Sequence, residues 1–104
     1  MNELTKDSDF LICCAYKEYL DRRKNGMPKR KANTFDKTFK DSNKTLKSWL
    51  YDDYLFTISE LKRASFVKMY FDGTFVINDY AITYMENRFK NNVLEIADFI
   101  SKFI

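Results

Sequence analysis

The sequence predicts a mainly α-helical fold of the α+β class, forming one domain over residues 1–104. The length of 104 residues suits a single hydrophobic core, and a composition of 45% hydrophobic and 32% charged residues is typical of a folded domain. Only two glycines and one proline are present, which is too few turn residues for a sandwich or barrel of many strands. Strand-forming residues are concentrated in one segment, so a single hairpin is predicted among helices.

The first helix is predicted over residues 8–25. Asp7 or Ser8 can cap it, because a short side-chain oxygen accepts from the free N–H groups of the first turn. Gly26 and Pro28 are strong signals for its end. Residues 27–32 are then predicted to be a basic connector.

Two further helices are predicted before any strand. The second covers residues 34–41, is capped by Asn33, and carries Phe35 and Phe39 one turn apart. The third covers residues 48–64. Its predicted buried stripe consists of Leu50, Tyr54, Ile58 and Leu61.

Residues 66–77 predict a β-hairpin. Two runs rich in β-branched and aromatic residues flank Asp72 and Gly73. An Asp-Gly pair tolerates the positive φ angles of a type I′ turn, so a tight two-residue turn is expected. An isolated hairpin is marginal in water and must pack on the helices.

Two helices complete the predicted fold, over residues 80–90 and 92–103. Asn78 or Asp79 is expected to cap the first of them. The last helix is apolar on more than one side, so it either closes over its own domain or pairs with a second copy of the chain. The residues predicted for such a homodimer are Val93, Ile96, Ile100 and Phe103.

Two short helices followed by a hairpin are the order found in a winged helix-turn-helix, which is the architecture predicted here. Several segments of the chain also resemble a known family. The segments 60–68, 72–79, 81–89 and 93–100 resemble the YjcQ-like family of small winged-helix proteins from low-G+C bacteria and their phages. The resemblance covers roughly residues 33–104, and its most specific part is Asp72-Gly73 leading into Ala81-Ile82-x-Tyr84-Met85-Glu86-Asn87. It implies the fold and a phage origin, but little chemistry. Ala64-Ser65 departs from the glycine that such families usually carry before the strand.

Composition argues against catalysis. The chain has no histidine, and its two cysteines, Cys13 and Cys14, are adjacent, which gives neither a metal-binding C-x-x-C spacing nor a disulfide framework. No glycine-rich phosphate loop and no Ser or Cys nucleophile with a base is evident. We therefore expect no enzyme activity, no metal and no cofactor. The absence of a signal-peptide pattern and of a long apolar run predicts a cytoplasmic protein without a membrane partner.

Basic residues are concentrated in the first half of the chain, where residues 21–47 carry ten basic and three acidic side chains. Such a surface can neutralise phosphates, and the sequence favours double-stranded DNA as the partner, with a regulatory role. Asp52 and Asp53 near the start of the third helix oppose base reading, so backbone contacts are expected to dominate. The predicted nucleic-acid-binding residues are Lys29, Arg30, Lys31, Lys37, Lys40, Lys44, Lys47 and Lys68.

A second hypothesis is a phage-encoded module that inhibits or recruits a host or phage protein that handles nucleic acid. Its docking face would be acidic and would mimic nucleic acid. The residues predicted for that face are Asp52, Asp53, Asp72 and Asp79. DNA, RNA and an acidic protein all remain compatible with the basic face.

Overall fold

The computed structural model describes residues 4–90 and 92–103. Within them the fold is mainly helical with one small antiparallel sheet, which confirms the predicted α+β class. The elements in chain order are α1 (Lys6–Lys24), α2 (Lys29–Ala32), β1 (Thr34–Phe35), α3 (Lys37–Ser42), a 3₁₀ turn (Leu46–Ser48), α4 (Tyr51–Arg63), β2 (Val67–Met69), β3 (Phe75–Ile77), α5 (Asp79–Phe89) and α6 (Val93–Ser101).

Helix α1 is the central element of the core. Every side chain from Phe10 to Tyr16 is buried, and α4, α5 and α6 all pack against the helix. It begins two residues earlier than predicted, because Oγ1 of Thr5 accepts a 3.1 Å hydrogen bond from the backbone N–H of Ser8 and acts as the cap. Its end is as predicted, with Gly26 at φ +93° just beyond the C-cap.

The predicted second helix is wrong at its start. Thr34 and Phe35 form strand β1, which pairs with Val76 and Phe75 of β3. Helix α3 begins only at Lys37, and Asp36 caps it in place of Asn33. The pairing joins residues about forty positions apart, so local spacing carried no sign of it. The predicted connector before β1 also contains α2, a single helical turn.

The hairpin lies where it was predicted, but its turn is different. Tyr70 and Thr74 close a three-residue loop, with the Tyr70 N–H donating to the Thr74 carbonyl at 2.8 Å and the Gly73 N–H to the Tyr70 carbonyl at 3.0 Å. Gly73 has φ +93°, whereas Asp72 has no positive φ, so the type I′ prediction is wrong. The geometry is that of a three-residue loop with a left-handed glycine. The sheet order is β1-β3-β2.

Helix α4 starts at Tyr51 rather than residue 48, because the 3₁₀ turn precedes it. Leu50 is 71% exposed, so its predicted place in the buried stripe is wrong, while Tyr54, Ile58 and Leu61 are buried as predicted. The helix ends in a Schellman arrangement: the Phe66 N–H donates to the Leu61 carbonyl at 3.0 Å. Ser65 takes the left-handed position there, at φ 66°.

Helices α5 and α6 both pack against α1 and complete the core. Asn78 caps α5 as predicted, accepting from the Ala81 N–H at 2.8 Å. Helix α6 ends at Ser101, two residues earlier than predicted, and Ile96 is its only buried residue; Ile100, and Phe103 just beyond the helix, are partly buried against the core of their own domain. Ile96 is therefore not accessible to a second copy, so its prediction as a dimer residue is wrong. Pairing through Val93, which is only half-buried, stays a prediction.

Candidate interaction surfaces

A basic surface lies where the chain turns from α1 into α2. We call it the basic patch; its members are all exposed and are Arg23, Lys24, Lys29, Arg30 and Lys31. Ala32 is the only buried residue of α2, so the three cations of that turn all point outward. No Asp or Glu occurs between residues 22 and 35. The 3.9 Å ion pair of Lys29 with Asp79 joins two solvent-exposed side chains and neutralises little of this charge.

The other residues predicted to contact phosphates lie outside α2. Lys37 is exposed at the start of α3, Lys44 and Lys47 are exposed around the 3₁₀ turn, and Lys68 is exposed on β2. Lys40 is only 7% exposed, and its Nζ donates to the carbonyl of Lys47 at 3.4 Å. The prediction that Lys40 is a surface phosphate contact is therefore wrong, because its side chain is nearly covered and its ammonium group donates a hydrogen bond to the 3₁₀ turn.

A second surface combines the start of α4 with the loop between β2 and β3. We call it the hairpin surface and define it as Leu50, Tyr51, Asp52, Asp53, Phe71 and Asp72, all of which are exposed. Tyr51 connects its two halves: a Cβ built on Gly73 would lie 2.9 Å from Oη of Tyr51. The loop and the first turn of α4 are therefore in direct contact. Phe71 is fully exposed at the loop tip.

The hairpin surface also carries three exposed carboxylates, those of Asp52, Asp53 and Asp72. Asp52 and Asp53 lie in the first turn of α4, where the helix dipole favours negative charge. Asp72 accepts a 2.9 Å hydrogen bond from the Thr74 N–H, and hydrogen bonds from Thr74 lower the pKa of this carboxyl. Asp72 is therefore ionised at neutral pH.

Asp79 does not belong to this acidic group, contrary to the prediction. Strand β3 leads from the loop to α5, and Asp79 is the first residue of α5. The extended chain from residue 74 to residue 78 spans about 13 Å at about 3.3 Å per residue. Asp79 consequently lies at the far end of the sheet from Asp72, next to Lys29.

The cysteines offer little chemistry. Both thiols are buried, and burial raises the pKa of Cys14 to about 12 and that of Cys13 further. A thiol with such a pKa is almost entirely protonated at neutral pH, and a protonated thiol is a poor nucleophile. Cys14 lines a cleft of about 240 Å³ beside Lys17 and Asn43, but its sulfur is almost fully covered.

Within residues 4–90 and 92–103, no group of three or more His, Cys, Asp or Glu side chains is placed to hold a metal ion. No helix in the same part of the chain is long and apolar enough to cross a membrane. Comparisons of the chain with models of protein families, with curated proteins and with solved structures found no match. The resemblance to the YjcQ-like family therefore stays a prediction from the sequence.

Proposed function

We propose that the domain is a winged helix. The order of α1, β1, α3, α4, β2 and β3 supports this architecture, since a helix pair is followed by a hairpin that packs beside the second helix. Strand β1 joins the hairpin on the β3 side, which gives the three-stranded order β1-β3-β2. In this arrangement α4 occupies the position of the recognition helix, and residues 70–74 form the tip of the wing.

We further propose that the protein is a non-enzymatic DNA-binding regulator that contacts mainly backbone phosphates. The observation that carries this proposal is the basic patch, in which five exposed cations lie on a stretch of chain without a single carboxylate. Such a surface attracts phosphates without distinguishing bases. The phage or prophage origin rests on the sequence resemblance, and the regulatory role rests on the proposed DNA binding.

Base reading through α4 is disfavoured by the charge of its first turn. A recognition helix contacts base edges through residues near its N-terminus, with Arg, Lys, Asn and Gln as the usual donors. Here those positions hold Asp52 and Asp53, and the cations Lys62 and Arg63 lie at the other end of the helix. The proposed contact is therefore sequence-independent and uses the α1–α2 side of the domain.

Fluorescence anisotropy of a labelled random duplex, measured over a salt series, tests this function. Each phosphate contact contributes about 0.9 to the slope of log affinity against log salt, so replacing Lys29, Arg30 and Lys31 by Gln should lower the slope by about 2.7. At low salt the same variant should bind at least about tenfold more weakly.

The matched control variant replaces Lys37, Lys44 and Lys47 by Gln, which removes the same charge from another part of the chain. If the basic patch contacts DNA, the control variant should lose clearly less affinity for the duplex than the variant of the basic patch. No duplex binding by the unaltered chain at low salt would refute the proposal. Equal losses for the two triple variants would show a response to net charge alone and would also refute it.

The exposed hairpin surface favours a second candidate function, binding to another protein. This surface is separate from the basic patch.

A further inference from the structure

The hairpin surface exposes apolar side chains that contribute little to the fold. Phe71 is fully exposed at a loop tip, where polar residues are usual, and Leu50 is 71% exposed at the start of α4. Single exposed apolar residues are common, but several on one contiguous surface indicate a site of interaction. Phe71 lies two residues before Gly73 and Leu50 lies next to Tyr51, so both flank the contact between Tyr51 and Gly73.

Hydrogen bonds and packing hold the backbone beneath these side chains. Two backbone hydrogen bonds, at 2.8 and 3.0 Å, close the loop, and Gly73 is packed under Tyr51. On the α4 side, Tyr51 stacks on the buried ring of Tyr54, with 6.4 Å between ring centroids. A partner that binds here meets a loop that already has its shape, so little conformational entropy is lost on binding.

Charge identifies the kind of partner. Residues 48–61 and 69–87 contain no Lys or Arg, so the carboxylates of Asp52, Asp53 and Asp72 have no basic neighbour along either segment. The cation nearest the loop in sequence, Lys68, lies with its Nζ 5.4 Å from the ring centroid of Tyr70. Nucleic acid and anionic lipid would be repelled by this surface. A second copy of the same surface would be repelled as well, because the carboxylates of the two copies would face each other.

We propose that the hairpin surface binds a protein segment in which an aromatic or aliphatic side chain is flanked by Lys or Arg. The apolar side chain packs against Phe71 and Leu50, and the flanking cations pair with the carboxylates of this surface. Apolar contact at the centre and charge at the rim is the usual anatomy of a protein interface. This site is separate from the basic patch and does not depend on DNA binding.

Selection from a displayed library of random dodecapeptides tests the proposal without a known partner. The unaltered chain is the target, and the Phe71→Ser, Leu50→Ser variant is the counter-target. Both side chains are exposed, so this variant should keep the urea midpoint of the unaltered chain. The expected result is enrichment of peptides that carry net positive charge and at least one large apolar residue.

A selected peptide, labelled for anisotropy, then maps the contact. Phe71→Ser should weaken its binding at least about tenfold, as removal of a central interface side chain does. Asp52→Asn with Asp53→Asn should weaken binding several-fold and flatten its salt dependence. Leu94→Ser is the matched control, because Leu94 is 82% exposed on α6, outside the hairpin surface, and its loss should leave the affinity unchanged.

Three outcomes would overturn the proposal. The first is a selection that yields no peptide distinguishing the target from the counter-target. The second is enrichment of acidic or uncharged peptides. The third is a dimer of the unaltered chain in light scattering that Phe71→Ser converts to monomer, which would identify the occupant as a second copy.

Discussion

Replacing Asp9 by Asn removes an ion pair that joins α1 to α5. Nη1 and Nη2 of Arg88 lie 2.6 and 3.2 Å from the two carboxylate oxygens, in a bidentate arrangement. The two side chains are 27% and 20% exposed, so the pair lies between a surface pair, worth about 0.2–1 kcal/mol, and a buried one, whose disruption costs about 3–5 kcal/mol. We expect Asp9→Asn to lower the free energy of unfolding by about 1.5 kcal/mol.

Arg88→Met should be more damaging than Asp9→Asn. The guanidinium carbon of Arg88 also lies 4.5 Å from the ring centroid of Phe99, so this substitution removes a cation–π contact with α6 as well. A partly exposed contact of this kind adds roughly 0.5–1 kcal/mol. The carboxylate of Asp9 would additionally be left without its partner in a half-buried position.

Urea denaturation of the two single variants and the double variant measures the pair directly. With a slope of about 1.5 kcal/mol per molar urea, Asp9→Asn should lower the midpoint by about 1 M, and the double-mutant cycle should give a coupling energy of about 1 kcal/mol or more. Asp21→Asn is the control, because its pair with Lys17 is more exposed and should contribute under about 0.5 kcal/mol. Equal effects at Asp9 and Asp21 would refute the reasoning.

Two further predictions concern the backbone and the thiols. Gly73→Ala should lower the free energy of unfolding by about 1–2 kcal/mol, because the residue has φ +93° and its Cβ would meet Tyr51, whereas Ser65→Gly should raise it by about 0.5–1 kcal/mol by relieving a left-handed serine. Urea midpoints that shift in the same direction for both would contradict this. Burial raises the pKa of Cys14 to about 12 and that of Cys13 further, so unfolding releases their protons at high pH. The contribution of the two thiols to stability should be constant below about pH 8.5, the usual cysteine pKa, and should fall as the pH rises towards 12, by up to about 1.4 kcal/mol per pH unit per thiol. Replacing both cysteines by alanine should flatten urea midpoints measured from pH 7 to 11, and an unchanged slope would contradict the assignment.

The elements that sequence predicted well are those with local signals. The end of α1 follows from Gly26, which takes the left-handed conformation just beyond the cap, and Asn78, one of the two caps expected for α5, is the one observed. The hairpin was located by its two runs of β-branched and aromatic residues and by the Asp72-Gly73 pair between them. Its turn type was missed because an Asp-Gly pair fits more than one loop, and the contact of Gly73 with Tyr51 involves residues that are distant in sequence.

The errors arise where tertiary pairing overrides local spacing. Phe35 and Phe39 have helical spacing, yet Phe35 stacks on Phe75 of the neighbouring strand with 5.2 Å between centroids. Leu50 has the spacing of the buried stripe, but it precedes the helix and lies in solvent. Lys40 illustrates the converse, since no sequence pattern indicates that a lysine will be covered.

The candidate surfaces were predicted in part. Charge counting along the chain located Lys29, Arg30 and Lys31, and it also located the acidic pair at the start of α4. It could not show that Phe71 and Leu50 would be exposed beside that pair, because hydrophobicity alone predicts burial. Nor could it show that Asp79 would lie at the other end of the sheet.

The central position of α1 has a consequence for synthesis on the ribosome. Residues 10–16 of α1 emerge early, but α4, α5 and α6, which cover them, emerge later, and α6 ends only at Ser101. The sheet is delayed in the same way, because β1 cannot pair until β3 has been made. Every nascent chain that stops short of α6 therefore exposes an apolar helix of the kind that chaperones bind, and the core closes only when the last helix reaches α1.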